Sequence, residues 1–184
     1  MAKANPDVLL AKNYDIIEAD NTLFIVEDNF NSLLDYKRAF PDSAVSIFPL
    51  THSTQKNAEK LNLPITSLTD TTKQTFQCIV IPMLKSKPEM KMMLAWSQAN
   101  ISDTGSIVVF GENNSGTKSL NNLVEHIDFA KVASGKHSLV MEARTVPTAS
   151  FNLDDWWQSY EINDLTIFNL PGVFSHNKLD KGTT

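Results

Sequence analysis

The sequence predicts an α/β fold of the doubly wound, Rossmann-like kind, with a mostly parallel sheet and an antiparallel closing edge. Three observations predict it. Short β-branched apolar runs alternate with segments of helical spacing between Leu23 and Ile127. The run Phe76 to Ile81 is apolar on nearly every residue, as a parallel strand buried on both faces should be. After Phe129 the character changes, and Lys131 to Ala143 reads as a hairpin around a Ser134-Gly135-Lys136 turn.

Each element follows from local signals. Asn5-Pro6-Asp7 opens a short helix through Val8, Leu9 and Leu10, with Pro6 near the first turn. Leu23 to Val26 is a strand, followed by Glu27-Asp28-Asn29-Phe30-Asn31 and a helical segment containing Leu33, Leu34 and Tyr36. Val45 to Phe48 is the next strand, Ser53 to Leu61 a polar exposed helix, and Pro64 to Thr66 a candidate short strand. Lys87-Pro88-Glu89 starts a helix whose apolar face is Met90, Met93 and Leu94. Ile107 to Phe110 is a strand that stops at Gly111. A polar turn then leads through Gly116 into a helix with Leu120, Leu123, Val124 and Ile127. In an open α/β sheet such a turn lies at the carboxyl end of a strand, where ligands bind. Pro147 to Ser150 is the linker candidate. Asn152 to Trp157 reads as a short helix capped by Asn152, and Leu165 to Leu170 as a strand entering a Pro-Gly turn. This divides the chain into a domain over residues 1–150 and, over 151–184, an interdomain helix with the first strand and turn of a following domain.

The chain has 184 residues, 42% hydrophobic and 20% charged, enough for one domain with a real core. Its single cysteine, Cys78, lies in an apolar run, which assigns it to core packing and fits a reducing, cytoplasmic compartment. The N-terminus has no apolar leader, and no run approaches the roughly 18 residues of a membrane span. A formal net charge of −5 argues against gripping nucleic acid by bulk electrostatics, so any RNA contact has to come from a local patch.

A Rossmann domain that binds a nucleotide or S-adenosylmethionine needs a glycine-rich turn after its first strand, so that backbone N–H groups approach the ligand. Glu27-Asp28-Asn29-Phe30-Asn31 holds no glycine, and Pro49-Leu50-Thr51-His52 stands where an acidic residue for the ribose is expected. Both absences argue against a cofactor here. His52, His126, His137 and His176 have no metal spacing, and no G-x-S-x-G elbow supports a hydrolase. Glu27 and Asp28, adjacent in extended chain, point to opposite faces and read as turn residues. Trp156 and Trp157 can stack a base, although packing is the commoner use of so much apolar area.

Two polar loops remain, Met83 to Glu89 and Gly111 to Lys118. If the strands before them are neighbours, Lys85, Lys87, Asn113, Asn114, Ser115 and Lys118 converge at one end of the sheet beside two helix N-termini, which favour anions. Alternatively Ser115 or Thr117 caps a helix, Gly111 and Gly116 shape the turn, and the lysines are solvated.

The motif order I-P-M-L-K-S-K-P-E-M, V-V-F-G-E-N-N-S-G-T-K-S and L-P-G-V-F-S-H-N-K-L-D-K-G-T resembles the bacterial 16S ribosomal RNA guanine-N2 methyltransferases of the small-methyltransferase type. The P-D-V-L-L opening and D-D-W-W-x-x-Y fit as well, so the resemblance spans nearly the whole chain. It implies a two-domain enzyme of duplicated methyltransferase-like folds. The C-terminal half would bind S-adenosylmethionine and methylate a guanine amine of 16S ribosomal RNA in the small ribosomal subunit. The N-terminal half would be a degenerate methyltransferase fold that binds no cofactor, holds no catalytic residue, and assists RNA recognition and folding of its catalytic partner domain. Pro171, Gly172, Phe174 and Ser175 then resemble the entrance to the catalytic domain, and the family's Gly-rich turn and N-P-P-aromatic motif do not occur in this sequence. The alternative is a purely structural or interaction module with no RNA contact of its own.

Overall fold

The computed structural model describes residues 5–70, 75–124, 126–144, 150–162 and 164–172. Helix α1 (Asn5–Ala11) is followed by β1 (Asn21–Val26), α2 (Asn31–Ala39), β2 (Ala44–Pro49), α3 (His52–Lys60), β3 (Phe76–Pro82), α4 (Lys87–Asn100), β4 (Ile101–Glu112), β5 (Ala130–Gly135) and β6 (Ser138–Arg144). The six strands form one sheet in the order β2-β1-β3-β4-β6-β5. The first four run parallel, while β6 pairs antiparallel with β4 and β5 antiparallel with β6. The α/β fold, its parallel sheet and its antiparallel edge are those the sequence predicts.

Successive strand residues point to opposite faces, and here both faces are dry. Leu23, Ile25, Ile79, Ile81, Ile107 and Val109 meet Met90, Met93 and Leu94 of α4 on one side. Phe24, Val26, Cys78, Val80 and Val108 meet Leu10 of α1 and Leu33 and Tyr36 of α2 on the other. That double coverage explains why β3 reads as a continuous apolar run. Helix starts are fixed locally: Thr51 and Thr54 form a capping box for α3, and Ser86 accepts a hydrogen bond from the Glu89 N–H at the start of α4. Among the described residues no helix is long and apolar enough to cross a membrane.

Cys78 is buried, its sulfur 3.9 Å from the Ser106 hydroxyl, and burial pushes its thiol up to about 12. Since the thiolate is the reactive form, the folded chain is expected to resist iodoacetamide at pH 8 and to label fully in denaturant. Stoichiometric labelling of the native chain would contradict this placement.

Several local readings need correction. Strand β4 begins at Ile101 rather than near Ile107, and Gly111 lies inside it. Its register against β3 jumps from Phe76↔Ile101 to Cys78↔Ser106, so residues 102–105 bulge out and hide the strand's start. The helix expected through Ile127 is only a 3-10 turn, Thr117–Asn122. Leu120 and Ile127 still reach the core. The Asn121 amide holds the chain back instead, accepting from the Phe129 N–H at 2.9 Å and donating to the Phe129 carbonyl at 3.0 Å.

The hairpin turn is Lys136-His137, with φ of 48° and 62°, rather than Ser134-Gly135-Lys136. Gly135 pairs with Ser138 inside the ladder. Finally, the C-terminal strand has a partner that the sequence reading missed. Gln158–Ile162 (β7) and Leu165–Asn169 (β8) form a separate antiparallel two-stranded sheet. The segment before it is a 3-10 turn, Leu153–Trp156, with Asn152 accepting from the Asp154 N–H. Pro64 to Thr66 contributes only an isolated bridge, Ile47↔Ile65. Of the expected linker, residues 147–149 lie outside the described residues.

Candidate functional site

The chain leaves β1 toward β2 on one side and later returns to β3 on the other, so the strand order reverses between β1 and β3. A doubly wound sheet binds ligands in the crevice at that point, outside the carboxyl ends of the strands. A cavity of about 330 Å³ lies there, with Val26, Pro82, Met83 and Phe110 as apolar walls. Its polar groups include Asp7, Glu27, Asp28, Ser32, Lys85, Glu112 and Ser115.

Helix α1 closes one side of this crevice. Asp7 is buried, and its Oδ1 accepts a hydrogen bond from the Ser32 hydroxyl in the first turn of α2. Phe30, at the N-cap of α2, supplies no side-chain bond to that turn. A carboxylate of the chain itself therefore takes the position where an N-terminal helix turn favours negative charge. Glu27 is held above the usual carboxylate range by burial and by Asp28, with Lys85 pulling partly back. Glu89 is raised by burial and by Glu27. The crevice is thus an acidic corner in which Lys85 is interleaved.

Strands β3 and β4 are parallel neighbours, so the two loops do leave the same end of the sheet, and Met83 N–H donates to the Phe110 carbonyl at 2.8 Å. The structure then sorts the predicted residues. Lys85, Lys87, Asn114 and Lys118 are exposed. Lys85 and Ser115 share the crevice, whereas Lys87 lines a separate groove beside α4. Ser115 is committed to the turn: its hydroxyl donates to the Glu112 carbonyl at 2.7 Å, and Thr117 Oγ1 donates to the same oxygen at 3.0 Å. Neither caps the 3-10 turn, whose N-cap is Gly116 at φ 102°. The Asn113 N–H donates to the His137 carbonyl at 2.8 Å, which ties this loop to the β5–β6 hairpin.

Pro171 is buried against the groove beside α4, and Gly172, at φ 98°, lies where a Cβ would overlap the Glu89 carboxylate. Phe174 and Ser175 lie outside the described residues. Asp7 and Lys91 went unnoticed as site residues in the sequence. Asp7 has no local signal, because its partner Ser32 is 25 positions away. Lys91 had one, the i, i+4 spacing from Lys87 on a helix. Among the described residues no group of three or more His, Cys, Asp or Glu side chains is placed to hold a metal ion.

Comparison with known proteins agrees with this fold. The family model described as "Methyltransferase small domain N-terminal" matches residues 2–160. A ribosomal RNA small subunit methyltransferase C of Colwellia psychrerythraea is 32% identical over 203 residues, covering 100% of this chain and 56% of the relative. One from Pseudoalteromonas translucida is 29% identical over 191 residues, covering 97% and 55%. The chain spans about half the length of the curated relatives it matches. Among solved structures, the T. thermophilus 16S rRNA N2 G1207 methyltransferase RsmC, in complex with AdoMet and guanosine, superposes with a TM-score of 0.73 at 15% identity, over 97% of this chain and 50% of that one. A degenerate turn after β1, a mostly parallel sheet with an antiparallel edge and a family match over most of the chain lead to one conclusion: this chain belongs to the family of N-terminal domains of small methyltransferases.

Proposed function

We propose that the chain is the non-catalytic N-terminal half of an S-adenosylmethionine-dependent 16S ribosomal RNA guanine-N2 methyltransferase, and that it contributes RNA contacts and helps its catalytic half to fold. The observation that carries the RNA part is the exit of two lysine-bearing loops from adjacent parallel strands, with Lys85, Lys87 and Lys118 all exposed. The relatives' names and their greater length support the division of labour.

The switch-point crevice does not fit the cofactor. Its first turn has no glycine, Phe30 is buried at the start of α2, and Asp7 takes the α2 N-terminal turn. Methyl transfer therefore belongs to the other half.

The test is RNA binding to the full-length protein and to a Lys85→Ala, Lys87→Ala, Lys118→Ala variant over a salt series. Loss of three phosphate contacts is expected to lower the slope of log K against log salt by about 2, at about 0.7 per contact on single strands. Unchanged affinity and slope would remove the RNA contact and leave the second reading, a module that only docks its catalytic partner. That reading rests on the β7–β8 hairpin. It is a two-stranded sheet that leaves Leu165 67% and Phe168 66% exposed, although such hairpins are marginal alone in water.

A further inference from the structure

Beside the crevice, and separate from it, a groove of about 350 Å³ runs between the start of α4, the 3-10 turn Thr117–Asn122 and the start of β7. Its volume falls within the range of small-ligand clefts, about 300–1,000 Å³. The lining includes Lys87, Lys91, Asn122, Trp156, Gln158 and Pro171, and it contains no carboxylate. In a chain of net charge −5 that is a local reversal of sign. Asp154 and Asp155 lie in the adjacent turn but outside the lining.

The chemistry of this lining is specific. Lys87 and Lys91 are exposed and four residues apart on α4, so they stand one above the other on one face. Both belong to the first turns of a 14-residue helix, whose amino end adds to the attraction for an anion. Trp156 is half-buried, its ring stacked on Phe151 with centroids 6.2 Å apart and planes at 18°. An indole braced against Phe151 and lining the groove has little conformational freedom left to lose. Asn122 and Gln158 are exposed amides, each with both donors and an acceptor. Two cations, a braced aromatic ring and two amide edges make the set that recognises an unpaired nucleotide: phosphate, base face and base edge. The switch-point crevice lacks this set, because Glu27, Asp28, Asp7 and Glu112 surround its one lysine.

We propose that this groove binds an unpaired nucleotide of RNA, with the base on Trp156, its edge against Asn122 and Gln158, and the phosphate between Lys87 and Lys91. The proposal rests on the RNA-contact reading above and gives that contact a place and a substrate form, single-stranded rather than duplex RNA.

The experiment titrates the full-length protein with an unstructured, end-labelled hexaribonucleotide, reading anisotropy and tryptophan quenching, with a hairpin duplex as comparison. Trp156→Leu is expected to weaken single-strand binding roughly 5- to 100-fold and to abolish most of the quenching. Lys91→Gln should lower the salt slope by roughly 0.7, and Asn122→Ala should weaken binding with the slope unchanged. Wild-type affinity in Lys91→Gln and Asn122→Ala overturns the proposal, and because both side chains are exposed these variants decide even if Trp156→Leu misfolds. If Lys85→Ala with Lys118→Ala then loses binding, the RNA reading stands without the groove. If the unaltered protein binds no RNA, both fall. Wild-type RNA binding with a lowered melting temperature in the groove variants would assign the groove to a segment of the catalytic half, and also overturns the proposal.

Discussion

Replacing Tyr36 by alanine is expected to remove a large share of the chain's stability. Tyr36 is fully buried at the centre of the α2 side of the sheet, with ring contacts to Tyr14, Phe24 and Phe40 at centroid distances of 5.7, 5.4 and 5.0 Å. Emptying such a site costs about 3–5 kcal/mol in comparable aromatic-to-alanine truncations. Small domains hold only about 5–15 kcal/mol in total. The hydroxyl adds a second, separable part. It donates to the Ile17 carbonyl at 3.0 Å, accepts from the Ala19 N–H at 3.3 Å and lies 3.1 Å from the hydroxyl of Thr22, itself fully buried. Tyr36→Phe keeps the ring and leaves these buried groups short of a partner, for an expected cost of about 1–3 kcal/mol. Urea denaturation of both variants checks the pair. A neutral Tyr36→Phe would mean that the polar cluster contributes nothing.

Tyr36 also shows where the sequence was legible and where it was not. Its place on a helix facing the core follows from helical spacing with Leu33, and that much was readable. Its bonds to Ile17, Ala19 and Thr22 join segments 14 to 19 positions apart, and no local pattern encodes them. The same division holds across the fold. Strands β1 and β3 and helix α4 were legible because burial on both faces and a proline in the first helical turn leave strong local marks. The end of the helix after Gly116 was not, since the Asn121 amide and the Phe129 backbone override an apolar spacing that would otherwise continue the helix. Strand β7 was hidden by its composition: Gln158, Ser159 and Glu161 are exposed, and only pairing with β8 makes the segment a strand. At the site, the neighbouring loops were legible from motif order and strand alternation. The separation of Lys85 from Lys87 into two grooves was not, because it depends on how α4 and β7 pack.

Charge is arranged along the strand axis in a way that the net value conceals. The amino ends of the strands border an open cavity of about 770 Å³ lined by Asp15, Glu18, Asp20, Asp42 and Glu142, with Arg144 the one cation among the lining residues. Lys85, Lys87, Lys91 and Lys118 belong to the opposite end or to the helix that begins there. Acidic side chains thus dominate the lining at the first end, whereas the second end carries exposed lysines beside its own acidic crevice. An overall charge of −5 is therefore compatible with a directed RNA contact, provided that the contact stays confined to the lysine-bearing loops and the α4 groove.

Gly111→Ala is expected to damage the fold and, with it, the edge for which an RNA contact is proposed. Gly111 pairs with Leu139 near the end of β4. A Cβ there would stand 2.6 Å from the Cβ of Met83 and 2.7 Å from Thr117 Oγ1. The first of these atoms is fixed to its backbone, and the second is held by its bond to the Glu112 carbonyl. Neither can swing aside. Relief has to come from moving the loop after β3 away from the turn after β4, which are the two segments that carry Lys85, Lys87 and Lys118. Overpacking of this kind costs about 1–3 kcal/mol, and Gly111→Val should cost more than Gly111→Ala. Gly135→Ala supplies the control, since its Cβ would meet only Leu9 Cδ1 at an ordinary 3.5 Å. Denaturation midpoints should fall for the Gly111 variants and stay near the parent value for Gly135→Ala. RNA affinity, measured where each variant is still fully folded, should drop only for the Gly111 pair. Equal midpoints for Gly111→Ala and Gly135→Ala would show that the close approach of the two loops is not what requires glycine at this position. A lowered midpoint with unchanged RNA affinity would separate the packing of these loops from the RNA contact assigned to them.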